Sequence, residues 1–273
     1  MSSSWARAPC PANVRAMRGE ATLQLWALPG LPMVRAGDVL PELIADALAR
    51  EGLALQDRDV VVVAQKIFSK AEGRTVDLAT VVPSARAIVL ASEIGKDPRL
   101  VEVILSESVR VVRARPNLLI VEHRLGFVMA NAGVDQSNVA PQDGVHRVLL
   151  LPRDPDASAE ALRARLATLS RARLAVIIND SFGRAWRRGT CGIAIGAAGL
   201  PALIDLRGRP DLFGRTLEVS IIGFADEIAA AASLLMGQAD EARPVVLVRG
   251  LDWSLPATNA HELVRPESED LFR

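Results

Sequence analysis

Three observations predict an α/β to α+β fold built on a mixed sheet. Val60–Ala64 is a continuous β-branched run and 174–178 a second apolar run, the pattern of strands buried on both faces. Residues 109–114, 118–122 and 127–130 follow one another across Arg115-Pro116-Asn117 and Leu125-Gly126, which reads as an antiparallel meander. Helical periodicities stand between the strands without strict βα alternation, so a plain doubly wound sheet does not fit.

In chain order, 22–28 alternates Leu23, Leu25 and Ala27 with more polar neighbours and ends at Pro29-Gly30, a strand and a turn. Asp38 reads as the N-cap of a helix carrying Leu40, Leu43, Ile44, Ala47 and Leu48 and stopped by Gly52. The charged segment after Val60–Ala64, taken alone, reads as well as a strand-to-loop exit as it does as a binding segment. Ser84 and Asp97-Pro98 each open a short helix, by a capping side chain and by proline in the first turn. After the meander, 152–158 is a polar linker into a helix over 159–169, and the strand 174–178 delivers Asn179-Asp180-Ser181 at its end. A strand at 216–222, a helix at 226–236 and a strand at 244–248 complete the pattern. Residues 1–20 read as a loose tail, with Met17 as an alternative start. Residues 21–250 read as one domain, in one lobe or two, and 251–273 as a C-terminal extension.

The 32 basic and 32 acidic residues cancel, which excludes a polyanion-binding surface built on bulk charge, whether for nucleic acid or for an anionic membrane. Half of the 273 residues are hydrophobic, enough for a buried core. The uncharged run 191–204 is broken by glycines and a proline and is too short to span a bilayer. Cys10 and Cys191 offer neither a disulfide framework nor a zinc spacing, so a reducing, cytoplasmic setting is expected. Tyrosine is absent. The lysines are Lys66, Lys70 and Lys96 alone, and two of them share one five-residue stretch.

No GxxxxGK[ST], GxGxxG or Gly-x-Ser-x-Gly occurs, so neither a P-loop nor a Rossmann fold is expected. His123, His146 and His261 lack a metal spacing and read as surface or core residues, and Gly189, Gly192, Gly196 and Gly199 read as sites of close backbone packing. Four short polar segments near apolar strands carry the chemistry. Gln65-Lys66-Ile67-Phe68-Ser69-Lys70 offers two ammonium groups as phosphate partners. The turn around Asn131-Ala132-Gly133-Val134-Asp135 can aim a carboxylate inward. Asp180-Ser181 has the hard oxygen donors that Mg²⁺ prefers, with Arg184, Arg187 and Arg188 close behind to clamp acidic groups. Met236-Gly237-Gln238-Ala239-Asp240-Glu241 reads by itself as a glycine-capped helix end. Taken together, these segments suggest metal-assisted phosphoryl transfer without a P-loop.

Those residues also carry a resemblance. Gly30-Leu31-Pro32-Met33-Val34, the run from Ala64 to Gly73, Asn131 to Asn138, Asp180 to Arg184, Ala225 to Ala229, Met236 to Glu241 and Pro244 to Gly250 resemble, in constant order, the coenzyme F-420 gamma-glutamyl ligases. The resemblance implies a homodimer with a mixed-sheet fold of its own. Its implied activity is GTP-dependent: L-glutamate joins the lactyl phosphate carboxylate of a deazaflavin precursor, and the tail then grows through gamma linkages. It places nucleotide contacts at Leu31, Pro32, Met33, Val34, Gln65, Lys66, Lys70 and Asn138, and along Met236, Gly237, Gln238, Ala239, Asp240, Glu241, Ala242 and Arg243. It places Mg²⁺ or Mn²⁺ at Asp135 and Asp180 for one ion and at Ser181 and Gln238 for the other, with K⁺ in support. Gln238 stands where some relatives carry Glu, and a neutral carboxamide holds a cation less strongly than a carboxylate. Ala239 replaces a usual glycine, which would limit a turn needing positive φ there. A related ligase with another acceptor acid, and a catalytically silent nucleotide-binding homologue, are the competing readings.

Overall fold

The computed structural model describes residues 22–136 and 146–270. Its elements are β1 (Gln24–Ala27), α1 (Leu40–Arg50), β2 (Val60–Ala64), α2 (Gln65–Ala71), β3 (Thr75–Asp77), α3 (Ala85–Ile94), α4 (Pro98–Ser106), β4 (Ser108–Arg115), β5 (Leu118–His123), β6 (Val128–Ala130), β7 (Arg147–Leu149), α5 (Pro155–Ser170), β8 (Ala175–Arg184), β9 (Arg187–Ala198), β10 (Ile204–Asp205), β11 (Ile221–Ile222), α6 (Phe224–Met236) and β12 (Val245–Arg249). The principal sheet is mixed, in the order β1-β12-β2-β8-β9, with a parallel β2–β8 pair among antiparallel ones.

Alternation along the central strands explains the layering. Val61, Val63, Val176, Ile178, Val245 and Leu247 face one core with α1 and α5, while Val60, Val62, Ala175, Ile177, Val246 and Val248 face a second core under α6. Both faces are dry, which is why these strands read as unbroken apolar runs. The meander β4-β5-β6 forms a separate three-stranded sheet and packs on α3 and α4 through Leu119, Val121, Val101 and Ile104. Ser84 Oγ accepts from Ala87 N, and Asp97 Oδ1 accepts from Arg99 N, so both expected caps form.

Several local expectations are corrected. Asp38 does not cap α1: the N-cap is Val39, and the Asp38 carboxylate accepts instead from Arg35 N at 2.7 Å. The segment after β2 is a helix, α2, buried through Ile67 and Phe68 rather than announced by a capping side chain. Helix α5 starts at Pro155, capped by Asp154, so the supposed linker is its first turn. Of 216–222 only Ile221–Ile222 form a strand, paired with β10, while Thr216 makes an isolated bridge to Pro210; β7 pairs with β3, a short pairing that has no local sequence signal. Strand β8 does not end before Asp180 but runs on to Arg184 and turns into β9.

The small residues of β9 have a packing reason. A Cβ on Gly192 would sit 2.7 Å from the Ala229 carbonyl oxygen of α6, and one on Gly196 would overlap the Pro155 carbonyl of α5. Gly199 is hemmed in likewise, whereas Gly189 has open space around it and needs no such account. A register shift beside Asn179 leaves β9 donors that helices satisfy: Asp226 Oδ1 accepts from Ala194 N, and Asp156 Oδ1 accepts from Ala197 N, both at 2.8 Å. Gly196→Ala is expected to destabilise the chain by about 2 kcal/mol or more, because helix backbone cannot yield to the added methyl. A denaturant midpoint unchanged from the parent would contradict this.

Candidate active site

Register brings the polar segments to one end of the principal sheet. β1 and β2 both run antiparallel to β12, so 31–34 after β1, Gln65 and Lys66 after β2, and 236–243 before β12 emerge together. Strand β8 runs parallel to β2 with Ala64 opposite Asn179, which sets Asp180 one residue beyond the last paired strand position of β2. Ligands of open sheets collect at such strand ends.

Alternation along β8 then divides its polar residues between the two faces. Asn179 and Ser181 look toward α6: Asn179 Nδ2 donates to Met236 Sδ at 3.4 Å, and Ser181 Oγ donates to Gln238 Oε1 at 2.7 Å. Gln238 Nε2 donates in turn to Ser233 Oγ at 3.2 Å. Asp180 points to the other face, where it feels the charges of Asp135 and Lys66. Asp135 is held by a backbone bridge to Leu149 and is ion-paired to Lys66, with Nζ 2.7 Å from Oδ2. Both partners keep 29% of their side-chain surface, so the pair can be reached from solvent.

The electrostatics favour a further cation here. Burial is the main cause that pushes the Asp180 carboxyl up to about 6, and the Asp135 charge adds to it; the Ser181 backbone N–H and Lys66 pull the other way without prevailing. Lys70, half-buried, is pushed down, first by burial and then by Lys66, with Asp135 opposing. Lys66 is ion-paired to Asp135, and its charge also reaches Asp180. Among the described residues no three His, Cys, Asp or Glu side chains converge on one point. The oxygen donors grouped here are instead two carboxylates on one face of β8 and a hydroxyl with a carboxamide on the other.

Other expected positions fall as follows. Leu31 and Val34 pack into the core, and Met33 is 70% exposed. Gln65 is buried, and its Oε1 accepts from Ser69 Oγ, which fixes the first turn of α2. Gly237 closes α6 at φ 72° and ψ −176°, a conformation open essentially to glycine. Among 238–243 the residue at positive φ is Ala242, at 53°, not Ala239, so the expected strain at Ala239 does not arise. Glu241 Oε2 accepts from Ala239 N and shapes this loop. Asp240 and Arg243 lie on the same loop, and Arg243 lines a cavity of about 370 Å³ with Trp26, Leu53 and Leu235. Arg187 and Arg188 lie exposed beyond the β8–β9 turn, away from Asp180. The side chain of Arg184 and all of Asn138 are outside the described residues. Ser233, which holds Gln238, escapes a reading of the sequence, and Asn179 is read there only as part of the strand end, not as the partner of Met236; the available signal is Ser233 lying one helical turn before Met236.

With this geometry in place, comparison with known proteins becomes specific. The family profile described as F420-0:Gamma-glutamyl ligase matches residues 30–250. The chain belongs to this family. It is 46% identical over 253 residues to the Coenzyme F420:L-glutamate ligase of Methanothermobacter thermautotrophicus, covering 92% of this chain and 99% of that protein. The Methanopyrus kandleri protein of the same name is 46% identical over 94% of this chain and 100% of its own length, and the Archaeoglobus fulgidus protein 44% over 92% and 96%. The family match takes in every segment that meets at the sheet end. No helix among the described residues is long and apolar enough to cross a membrane.

Proposed function

We propose that the chain is a GTP-dependent ligase that joins L-glutamate to the des-glutamyl precursor of coenzyme F420 and extends the tail through γ-linkages, as a cytoplasmic homodimer without nucleic-acid or membrane partners. The observation that supports this most is the Lys66–Asp135 pair beside the raised carboxyl of Asp180, at the sheet end of a chain from this ligase family.

The residues fit divalent cations. Asp135 and Asp180 would hold one Mg²⁺ or Mn²⁺ and Ser181 with Gln238 the other, with K⁺ in support; the donors are all oxygen, and the ammonium beside the two carboxylates is paired to Asp135. When bound, such ions supply Lewis acidity and neutralise phosphate charge. The protein's own contribution is positioning. Lys66 and Lys70 offer ammonium groups to the triphosphate, and the loop from Met236 to Arg243 and residues 31–34 wall the same sheet end. An oxygen of the acceptor carboxylate attacks the γ-phosphorus, the bond to the bridging oxygen breaks, and GDP leaves. The glutamate amine then attacks the acyl carbon of the acyl phosphate, phosphate departs, and the amine loses its proton.

Incubation with GTP, Mn²⁺, glutamate and the des-glutamyl coenzyme, followed by mass spectrometry, should show a product heavier by one or more glutamyl residues. No gain, or a gain without GTP, would sink the assignment. Lys70→Ala should raise the KM for GTP about 10-fold with kcat less affected, since it removes a charge that binds ground and transition states alike. A KM that stayed put would exclude Lys70 from the nucleotide site.

A further inference from the structure

A cleft of about 510 Å³ lies between the outer face of the meander and the turn of the β8–β9 hairpin, away from the site at the sheet end. Its floor is two cross-strand pairs, Arg113 with Ile120 and Arg115 with Leu118, on the face opposite the buried Leu119 and Val121. Its far wall is Ala185 and Trp186. The volume is that of a small-molecule site. Neither Arg113 nor Arg115 has an ion-pair partner among the described residues, and both are exposed. Trp186 leaves 87% of its surface open and sits at φ 64°, a left-handed conformation that costs a bulky residue energy. A strained, exposed indole facing two unpaired guanidinium groups over an aliphatic floor is the chemistry that holds a flat, anionic heteroaromatic ring.

Geometry also sets how such a ligand relates to the reaction. Trp186 lies six residues along the hairpin from Asp180, about 20 Å at strand rise. Between them Phe127 and Phe182 meet edge to face at 5.8 Å and fasten the meander to β8, so the separation is fixed by packing. We propose that this cleft seats the deazaflavin ring of the acceptor, with Trp186 stacked on the ring and Arg113 and Arg115 paired with its anionic oxygens or phosphate, while the carboxylate at the other end reaches Asp180. This rests on the ligase reading above and gives it a second, distant anchor, one that measures acceptor length. The exposed Arg187 and Arg188 at the start of β9 add positive charge beside it.

The test is equilibrium dialysis of the des-glutamyl acceptor against the full chain without GTP or metal, with steady-state ligation alongside. Trp186→Ala and the double variant R113A/R115A should each weaken acceptor binding at least about 10-fold and raise its KM to match. KM for GTP and the melting temperature should stay unchanged, and Trp186→Phe should restore most of the binding. Acceptor affinity within about twofold of the parent in both variants would overturn the cleft while leaving the ligase reading intact. Conversion of dimers into monomers by Trp186→Ala, with acceptor affinity preserved, would overturn it too, since the cleft then belongs to a second copy. Tight, Trp186-dependent binding by a parent chain that adds no glutamate would instead overturn the ligase reading and keep the cleft. A parent chain that does not bind the acceptor overturns the cleft as well.

Discussion

Asp180→Asn is expected to abolish glutamate addition, by a factor of about 100 or more, and at the same time to make the metal-free protein more stable at neutral pH. The two effects share one cause. The carboxyl has been raised from 3.8 to about 6, chiefly by burial, so the fold prefers it protonated. As pH falls below 3.8 the group becomes neutral folded or unfolded and costs nothing; between there and about 6 the unfolded chain gives up the proton while the folded protein keeps it, so stability falls as pH rises and levels off above about 6. Above that range the cost is on the order of 3 kcal/mol, and asparagine removes it while its amide oxygen still accepts from Ser181 N. Denaturant unfolding at pH 7.5 without divalent ions should therefore favour the variant, and the advantage should vanish near pH 4. On the proposed metal assignment, added Mn²⁺ should stabilise the parent and not the variant, which lacks the second of the two proposed carboxylate ligands. A variant less stable than the parent in metal-free buffer would refute this account.

Glu107 is the second position of large effect, and here charge stabilises the fold. Burial alone would raise this carboxyl, but His123, Arg124 and Arg74 outweigh it and hold it at about 2. Arg74 Nη2 lies 2.8 Å and Arg124 Nε 3.0 Å from Glu107 Oε2. Because His123 Nδ1 accepts from Leu125 N, the ring proton is on Nε2, 3.5 Å from the same oxygen. The carboxylate thus ties the end of α4 and the meander to the strand that follows α2. Glu107→Ala should cost about 3 kcal/mol, since two guanidinium groups lose the counter-charge that they share in a largely buried place. For a domain of this size the melting temperature should fall about 2–4 °C per kcal/mol. A carboxyl lowered in the folded state stabilises above its ordinary value of 4.5, so the gap between parent and variant should close as pH falls from there towards 2. An unchanged melting temperature at pH 7 would show that the cluster is neutral in energy.

What is legible along the chain depends on how local each signal is. β2 and the first half of β8 announce themselves because both faces are buried and every position is apolar. The caps at Ser84 and Asp97 are readable because a capping bond spans two or three residues. Helix α2 is not, since it has no capping side chain and is held by the core under Ile67 and Phe68. Strand β9 is hidden because its glycines and alanines answer to helices α5 and α6 pressing on it, not to strand propensity. The polar segments of the site stand out as segments, yet their division between two faces of β8 and the support from Asn179 and Ser233 are invisible along the chain.

Residue types and their order carry the family, the mixed α/β class and the group of oxygen donors and ammonium groups, because each is a property of a short stretch of chain. Distances are another matter. That Lys66 neutralises Asp135 across 69 residues of sequence, that Asp180 and Ser181 leave opposite faces of one strand, and that Trp186 faces Arg113 and Arg115 all follow from register between strands remote in sequence. Register is settled by two apolar cores closing on both sides of one sheet, and a one-residue slip would reverse every face.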